Sequence, residues 1–354
     1  MCKNKLIAGL MIFLWMCFSG CTQTIPLSDR AIVKAVFAEE TNGNYEVAMV
    51  IAEETDEESE QKILLKWGKG ETVAQAVYQI ETSSRKTMFY SQNQLLLIGK
   101  NASKSHFLET LAYFGTEQAS RPNMAVYATE LTCKQFKDWA KSDNFFQNIN
   151  NLEKGLEKSP KTGRMIYELN TTKDNFNGIV PFLKLTKQEV ETTQMVLYQN
   201  NQPKTMLKED SAQITRLLLG MQTKLKFSQE YDKERIQYSM DDAHIVRTVT
   251  QTEQGPVLEL QLYGVVRGVT ASDANQQAEL TLWKNRKELS KVISQEITKK
   301  MQQTIALTWN QDNDPFHFVW WFHLWHRQKT DQLIENRRLW EYPSIVATAK
   351  IKVV

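Results

Sequence analysis

The sequence lacks the short motifs that identify most enzymes and nucleotide-binding proteins. It contains no Gly-x-Ser-x-Gly, His-Glu-x-x-His, Cys-x-x-Cys or Gly-x-x-x-x-Gly-Lys motif. Gly68-Lys69-Gly70 has only two of the three glycines of a dinucleotide-binding loop, and we interpret it as a turn. We therefore expect no enzymatic activity, no catalytic or cofactor-binding residues, no metal ligands and no cofactor.

Long apolar runs are scarce as well. Lys3 and Lys5 precede an apolar run over residues 6–18, about 13 residues long. A membrane-spanning helix needs ~20 apolar residues, and no later segment is long and apolar enough to supply one. A charged start, a short apolar core and the small pair before Cys21 are typical of an export signal. We predict that residues 1–20 are a signal peptide.

The end of this signal resembles the bacterial lipobox. In that motif, read here as Phe18-Ser19-Gly20-Cys21, the cysteine thiol receives a diacylglyceryl group and the chain is cleaved before it. We predict cleavage between Gly20 and Cys21 and lipidation of Cys21. Two acyl chains meet the two-signal requirement for stable anchoring. An ordinary secretory signal and an uncleaved anchor remain the alternatives.

Cysteine is scarce and the charge is balanced. Once the signal is removed and Cys21 is acylated, Cys133 alone of the 4 cysteines keeps a free thiol. A chain of this size can bury a core without disulfides, so we expect Cys133 to be a small buried residue rather than a nucleophile. The 43 basic and 41 acidic residues give a net charge of +2, and two of the basic residues leave with the signal. This balance does not indicate nucleic acid as a partner.

The residues after the signal predict an α/β rhythm, and hence a mixed sheet covered by helices. Residues 31–33 and 45–50 are expected to form a hairpin around Asn42-Gly43-Asn44. The acidic run at 53–60 favours an exposed loop rather than a calcium site. Buried strands are predicted over residues 95–98 and 124–128, and helices over 71–80, over 107–114, and from an N-cap at Thr132 through Trp139 and Ala140.

A polar stretch at 141–187, interrupted by Pro160 and Pro181, indicates a domain boundary. We divide the chain into a tether (21–30), an N-terminal domain (31–190) and a C-terminal domain (191–354) that can contain two lobes. The predicted fold class is α+β, multi-lobed, with mixed β-sheets flanked by helices. In the C-terminal domain we predict strands over 193–198, 247–250, 258–262 and 344–354, a turn at 200–203, and helices near 211–219 and 287–305.

One segment, residues 316–326, is rich in aromatic and histidine side chains. His323 and His326 can share a helix face, whereas His317 lies about 120° away from His323, and no third metal ligand is identifiable. We expect packed or solvated histidines. Trp320 and Trp321 are adjacent, so both cannot face one core and at least one is expected to be exposed. Core packing of these tryptophans and contact with a partner or the lipid interface both stay open.

Basic residues flank this aromatic segment. They can meet the anionic headgroups of a nearby membrane, and a solvated helix face explains them equally well. The basic residues and the neighbouring tryptophans are Arg327, Lys329, Arg337, Arg338, Trp309, Trp325 and Trp340.

Several short segments along the chain resemble segments of the Ger(x)C family of spore germination lipoproteins. They run in the family's order over nearly the whole chain after the signal. Residues 22–25 and 317–319 depart from the family pattern, which has a Trp-Asp pair and glycines at these places. These segments are residues 27–33, 70–76, 84–90, 96–99, 179–183, 217–220 and 313–316, followed by Trp340.

This resemblance implies a non-enzymatic C subunit of a nutrient germinant receptor with a family-specific α/β topology. It further implies integral membrane A-type and B-type subunits as partners, and membrane lipid through the acylated Cys21. The implied location is the outer face of the spore inner (cytoplasmic) membrane. Apart from Cys21, no functional residue is carried over. An extracytoplasmic solute-binding lipoprotein is the alternative function, and a lipoprotein hydrolase, which would need a nucleophile–base pair, is a further class that stays open.

Overall fold

The structure is a computed structural model. It describes residues 26, 29–54, 61–116, 124–158, 164–165, 169, 176–187, 189–231, 234–253, 255–271, 283–310, 313–341 and 344–354. These residues form two sheets flanked by helices, which confirms the predicted α+β class. The predicted signal peptide, Gly20 and Cys21 lie outside the described residues.

The large sheet has ten strands in the order β10-β9-β8-β6-β5-β1-β2-β3, with β4 beside β1 and β7 beside β6. Neighbours among β1, β5, β6 and β8 are parallel, whereas β1–β2–β3 and β8–β9–β10 are antiparallel. We call the edge at which the four parallel strands begin the start edge. The strands are β1 (Arg30–Thr41), β2 (Asn44–Glu54), β3 (Gln61–Gly70), β4 (Thr87–Phe89), β5 (Leu95–Ile98), β6 (Ala125–Thr129), β7 (Arg164–Met165), β8 (Gly178–Thr186), β9 (Glu189–Gln199) and β10 (Gln202–Leu207).

Helices cover both faces of the large sheet. Side chains alternate between the faces of a strand, so Val36 joins the core on one side and Phe37 the core on the other. Helices α1 (Val73–Thr82), α2 (Lys100–Ser105) and α3 (Phe107–Thr116) pack on the Val36 side, and α4 (Cys133–Trp139) and α5 (Phe145–Lys158) on the Phe37 side. Thr132 caps α4 through the predicted N-cap, since its hydroxyl accepts from the amide of Gln135.

The small sheet has four strands: β11 (Leu225–Tyr231), β12 (Glu234–Thr252), β13 (Gly255–Ala271) and β14 (Ile345–Val353), in that spatial order. The long helix α7 (Trp283–Thr308) covers one face, where Leu289, Ile293 and Ile297 are fully buried. Three further helices complete this part of the chain: α6 (Glu209–Leu218), α8 (Phe318–Glu335) and α9 (Arg338–Glu341).

The two sheets share one core at their junction. Met195 and Leu197 of β9 belong to the same buried cluster as the small sheet and α7. Asn313, which is buried, donates from Nδ2 to the backbone oxygen of Tyr198 at 3.0 Å and ties the segment before α8 to β9. The predicted division at residue 190 stays a prediction, and β9 spans this residue.

Most of the predicted elements are confirmed, but the Gly68-Lys69-Gly70 turn is wrong. These residues end strand β3, which the sequence did not predict, and β11 was missed as well. A Cβ atom at Gly68 would lie 1.9 Å from the backbone oxygen of Ala76, so glycine is present because α1 packs directly on the backbone of β3. The polar stretch at 141–187 also contains regular structure, namely α5 and β8.

Candidate interaction surface

The structure separates the three histidines of the aromatic segment. His317 precedes α8 in a left-handed conformation (φ 55°), His323 binds the Oδ1 atom of Asp331 through Nε2 at 2.9 Å, and His326 lies at a break inside α8. Within the described residues, no group of three or more His, Cys, Asp or Glu side chains is placed to hold a metal ion. The histidines therefore form no common site.

The first part of α8, before the break at His326, divides into a buried and an exposed face. Phe318 and Phe322, four residues apart, are fully buried and hold the helix to the core. On the other side Trp320 is 54% exposed and Leu324 is 59% exposed. The expectation that one of two adjacent tryptophans is exposed is confirmed by Trp320, since Trp321 is half-buried.

Asp314 sets the position of this helix. Its two carboxylate oxygens accept from the backbone amides of Phe318 and Val319, each at 2.8 Å. These amides belong to the first turn of α8 and have no partner inside the helix. Burial raises the pKa of the Asp314 carboxyl, although the amide hydrogen bonds act in the opposite direction.

A cleft of about 640 Å³ opens beside the exposed face of α8. One wall is the C-terminal end of α6, which stops where Gly220 adopts a positive φ of 71°. The other wall is the start of α8. The residues that line the cleft are Leu218, Leu219, Gly220, Arg247, Phe316, His317, Trp320 and Trp321.

Arg247, from strand β12, supplies the cation of the cleft. Its Nη2 atom donates to the backbone oxygen of Leu218 at 2.9 Å, where it satisfies a free carbonyl at the end of α6. Its guanidinium lies 5.8 Å from the ring centre of Trp321. Burial lowers the pKa of Arg247. Among the described residues no carboxylate forms a salt bridge with it.

Cys133 is buried with a free thiol, which confirms the expected burial. Burial, together with the nearby carboxylates of Glu46 and Glu39, raises the pKa of this thiol to about 12. Because the thiolate is the nucleophilic form, this shift in pKa disfavours reaction of the thiol at neutral pH.

The sequence did not connect the two walls of the cleft, and it placed Arg247 in a strand without indicating that this side chain lines a cleft. Both walls of the cleft contain segments that carry the family resemblance, namely residues 217–220 and 313–316. About 95 residues separate these two segments in the sequence. The presence of both segments in one family pattern is the sequence signal that could have indicated their proximity. The cleft is lined by a cation, indole rings and aliphatic side chains, and ligand-binding pockets commonly combine apolar walls with a few polar groups.

Comparison with known proteins gives two matches. Residues 23–184 match a family described as "Spore germination protein N-terminal domain". A solved structure, titled "Crystal Structure of the GerBC protein", is similar with a TM-score of 0.56 and 11% sequence identity, covering 90% of this chain and 96% of that one. At this identity the likeness shows the fold. No curated protein matches the chain.

Proposed function

We infer that this chain is a member of the Ger(x)C family, the C subunits of germinant receptors, and we propose that it acts as the lipid-anchored subunit of such a receptor. Cys21 carries the lipid and holds the folded part on the outer face of the spore inner membrane. Integral membrane A-type and B-type subunits, which the family relationship implies, complete the receptor. The assembled receptor responds to a nutrient and triggers germination.

The observation that supports this proposal most directly is the position of the matched germination domain relative to the lipobox-like sequence. The domain match begins at residue 23, two residues after Cys21, and the described fold begins with β1 at Arg30. The lipidation site that we propose therefore directly precedes the matched germination domain in the sequence. No helix among the described residues is long and apolar enough to span a membrane. A diacylglyceryl group supplies the two acyl chains that stable anchoring requires.

Labelling and fractionation of spores test the anchor. Spores expressing the wild type, Cys21→Ala or Cys133→Ala are grown with labelled palmitate and separated into membrane and soluble fractions. We expect the wild type and the Cys133→Ala control to carry the label and sediment with membranes, and Cys21→Ala to carry none. A wild-type N-terminal peptide without an acyl group by mass spectrometry would overturn the anchoring proposal.

Co-isolation tests membership of a receptor. The wild-type chain is purified from spore membranes in mild detergent, and we expect two integral membrane proteins of the germinant-receptor type to accompany it. The solute-binding alternative makes a different prediction: the purified chain alone would be stabilised against heat by an amino acid or a sugar. Thermal stabilisation without co-isolation would move the assignment to that alternative.

A further inference from the structure

The exposed face of α8 has a composition that suits a membrane interface. Trp320 and Leu324 are one helical turn apart, and the indole rings of Trp320 and Trp321 meet edge to face at 5.3 Å between centres. We call these three residues the aromatic face. Phe318 and Phe322 already attach α8 to the core from its opposite side. Tryptophan is enriched where apolar and aqueous phases meet, because its ring is apolar and its N–H is polar.

Within residues 316–329 the side chains that carry a full charge are all basic. Residues 316–329 contain no Asp or Glu, and they contain Arg327 and Lys329, both exposed. The nearest carboxylates along the chain are already bound, since Asp314 caps α8 and Asp331 binds His323. Arg247 adds a cation in the adjoining cleft. Apolar side chains with cations beside them complement an anionic lipid surface.

The segment before α8 lies near the edge of the large sheet at which β1 begins. Asn313 binds Tyr198, which pairs with Gly178 at the beginning of β8, so α8 starts near the start edge. Strand β1 begins at the same edge and lies four strands from β9 in the sheet order, a lateral spacing of about 19 Å. The nine residues from Cys21 to Arg30 span at most about 30 Å. The anchor and the aromatic face can therefore meet one membrane.

We propose that the aromatic face of α8 docks on the anionic surface of the membrane to which the chain is anchored. This inference rests on the proposed lipid anchoring, which keeps the face at a high local concentration of headgroups. The docked face would fix the orientation of the fold relative to the membrane through a second point of contact beside the acylated cysteine.

Vesicle binding by the chain without its lipid tests this proposal. The mature chain with Cys21→Ser is sedimented with vesicles of phosphatidylcholine, or of phosphatidylcholine with 30% phosphatidylglycerol. The test variant is Trp320→Ser with Leu324→Ser, and the matched control is Tyr78→Ser, because Tyr78 is 67% exposed on α1. We expect binding to the anionic vesicles only, a loss of at least tenfold in the double variant, and no change in the control.

The outcomes separate the possible occupants of the face. Absence of binding to anionic vesicles, or an equal loss in the Tyr78→Ser control, would overturn the proposal. Loss of co-isolation with the integral membrane subunits in the double variant, without any vesicle binding by the parent chain, would assign the face to a protein partner and also overturn it. The chain in this assay carries no lipid, so absence of vesicle binding does not contradict the anchoring proposal. Conversely, absence of acylation at Cys21 would not change the interpretation of the vesicle experiment.

Discussion

Replacing Asp314 by alanine should loosen the start of α8 and with it the walls of the cleft. The Asp314 carboxylate is the acceptor for the amides of Phe318 and Val319, and alanine offers none. Phe318 is fully buried, so its amide would have no solvent to replace the lost partner.

The expected cost is about 2 kcal/mol. Hydrogen bonds to a charged group contribute about 1.5–3 kcal/mol each, and loss of a helix cap costs about 0.5–2 kcal/mol. Burial of the carboxylate, which raises its pKa, offsets part of the gain from the two bonds. At roughly 2–4 °C per kcal/mol for a domain of this size, the melting temperature should fall by about 4–8 °C.

Urea unfolding followed by tryptophan fluorescence measures this cost. Five of the 9 tryptophans lie between residues 309 and 340, so the signal reports largely on α8 and its neighbours. Asp314→Asn keeps one acceptor oxygen and should lose about half as much stability as Asp314→Ala. Glu130, which is exposed, provides the control Glu130→Ala. If Asp314→Ala stayed within about 0.5 kcal/mol of this control, the carboxylate would not hold α8 and the reasoning would be refuted.

Two further predictions concern the N-terminal part of the fold. Gly68→Ala should destabilise the protein by about 1–3 kcal/mol, because the added Cβ meets the Ala76 carbonyl. Gly268→Ala, with nothing within 4 Å of its Cβ, should change the urea midpoint little. Equal effects of the two changes would contradict the close packing of α1 on β3. Cys133 should react with a thiol reagent at pH 7.5 at least about 100-fold more slowly in the folded than in the urea-unfolded protein, given its burial and raised pKa. Comparable rates measured by absorbance would show that the thiol is accessible.

Elements with a strong local signal could be predicted from the sequence. The strand Leu95–Ile98 is a continuous apolar run, and all four of its residues are fully buried. The long helix α7 places an apolar residue at every turn, and the last strand alternates buried and exposed side chains. In the helix and the last strand the periodicity indicates which face is buried, and in Leu95–Ile98 the continuous apolar run indicates burial on both faces.

Strand β3 could not be predicted in the same way. Ile63, Leu65 and Trp67 pack on one face of the sheet, but they are only half-buried and the intervening Leu64 is apolar too, so the sequence shows no clear alternation. Its last residues include Gly68 and Gly70, which favour a turn on local grounds. Only the approach of α1 explains why glycines stand in a strand here, and that approach is a tertiary contact.

Only part of the candidate interaction surface could be predicted from the sequence. The tryptophans and the adjacent cations are neighbours in the chain, so their concentration and the exposure of one indole could be predicted. Arg247 and Leu218 could not be added, because they reach the cleft from β12 and from the end of α6 through the packing of separate elements.

The most direct test of the central claim is nutrient-triggered loss of optical density in spores. A strain that lacks this chain is complemented with the wild type or with Cys21→Ala. We predict that deletion abolishes the response to one class of nutrient, that the wild type restores it, and that Cys21→Ala restores it poorly. A normal response of the deleted spores to every nutrient tried, in a strain without related receptors, would contradict the assignment as a germinant-receptor subunit.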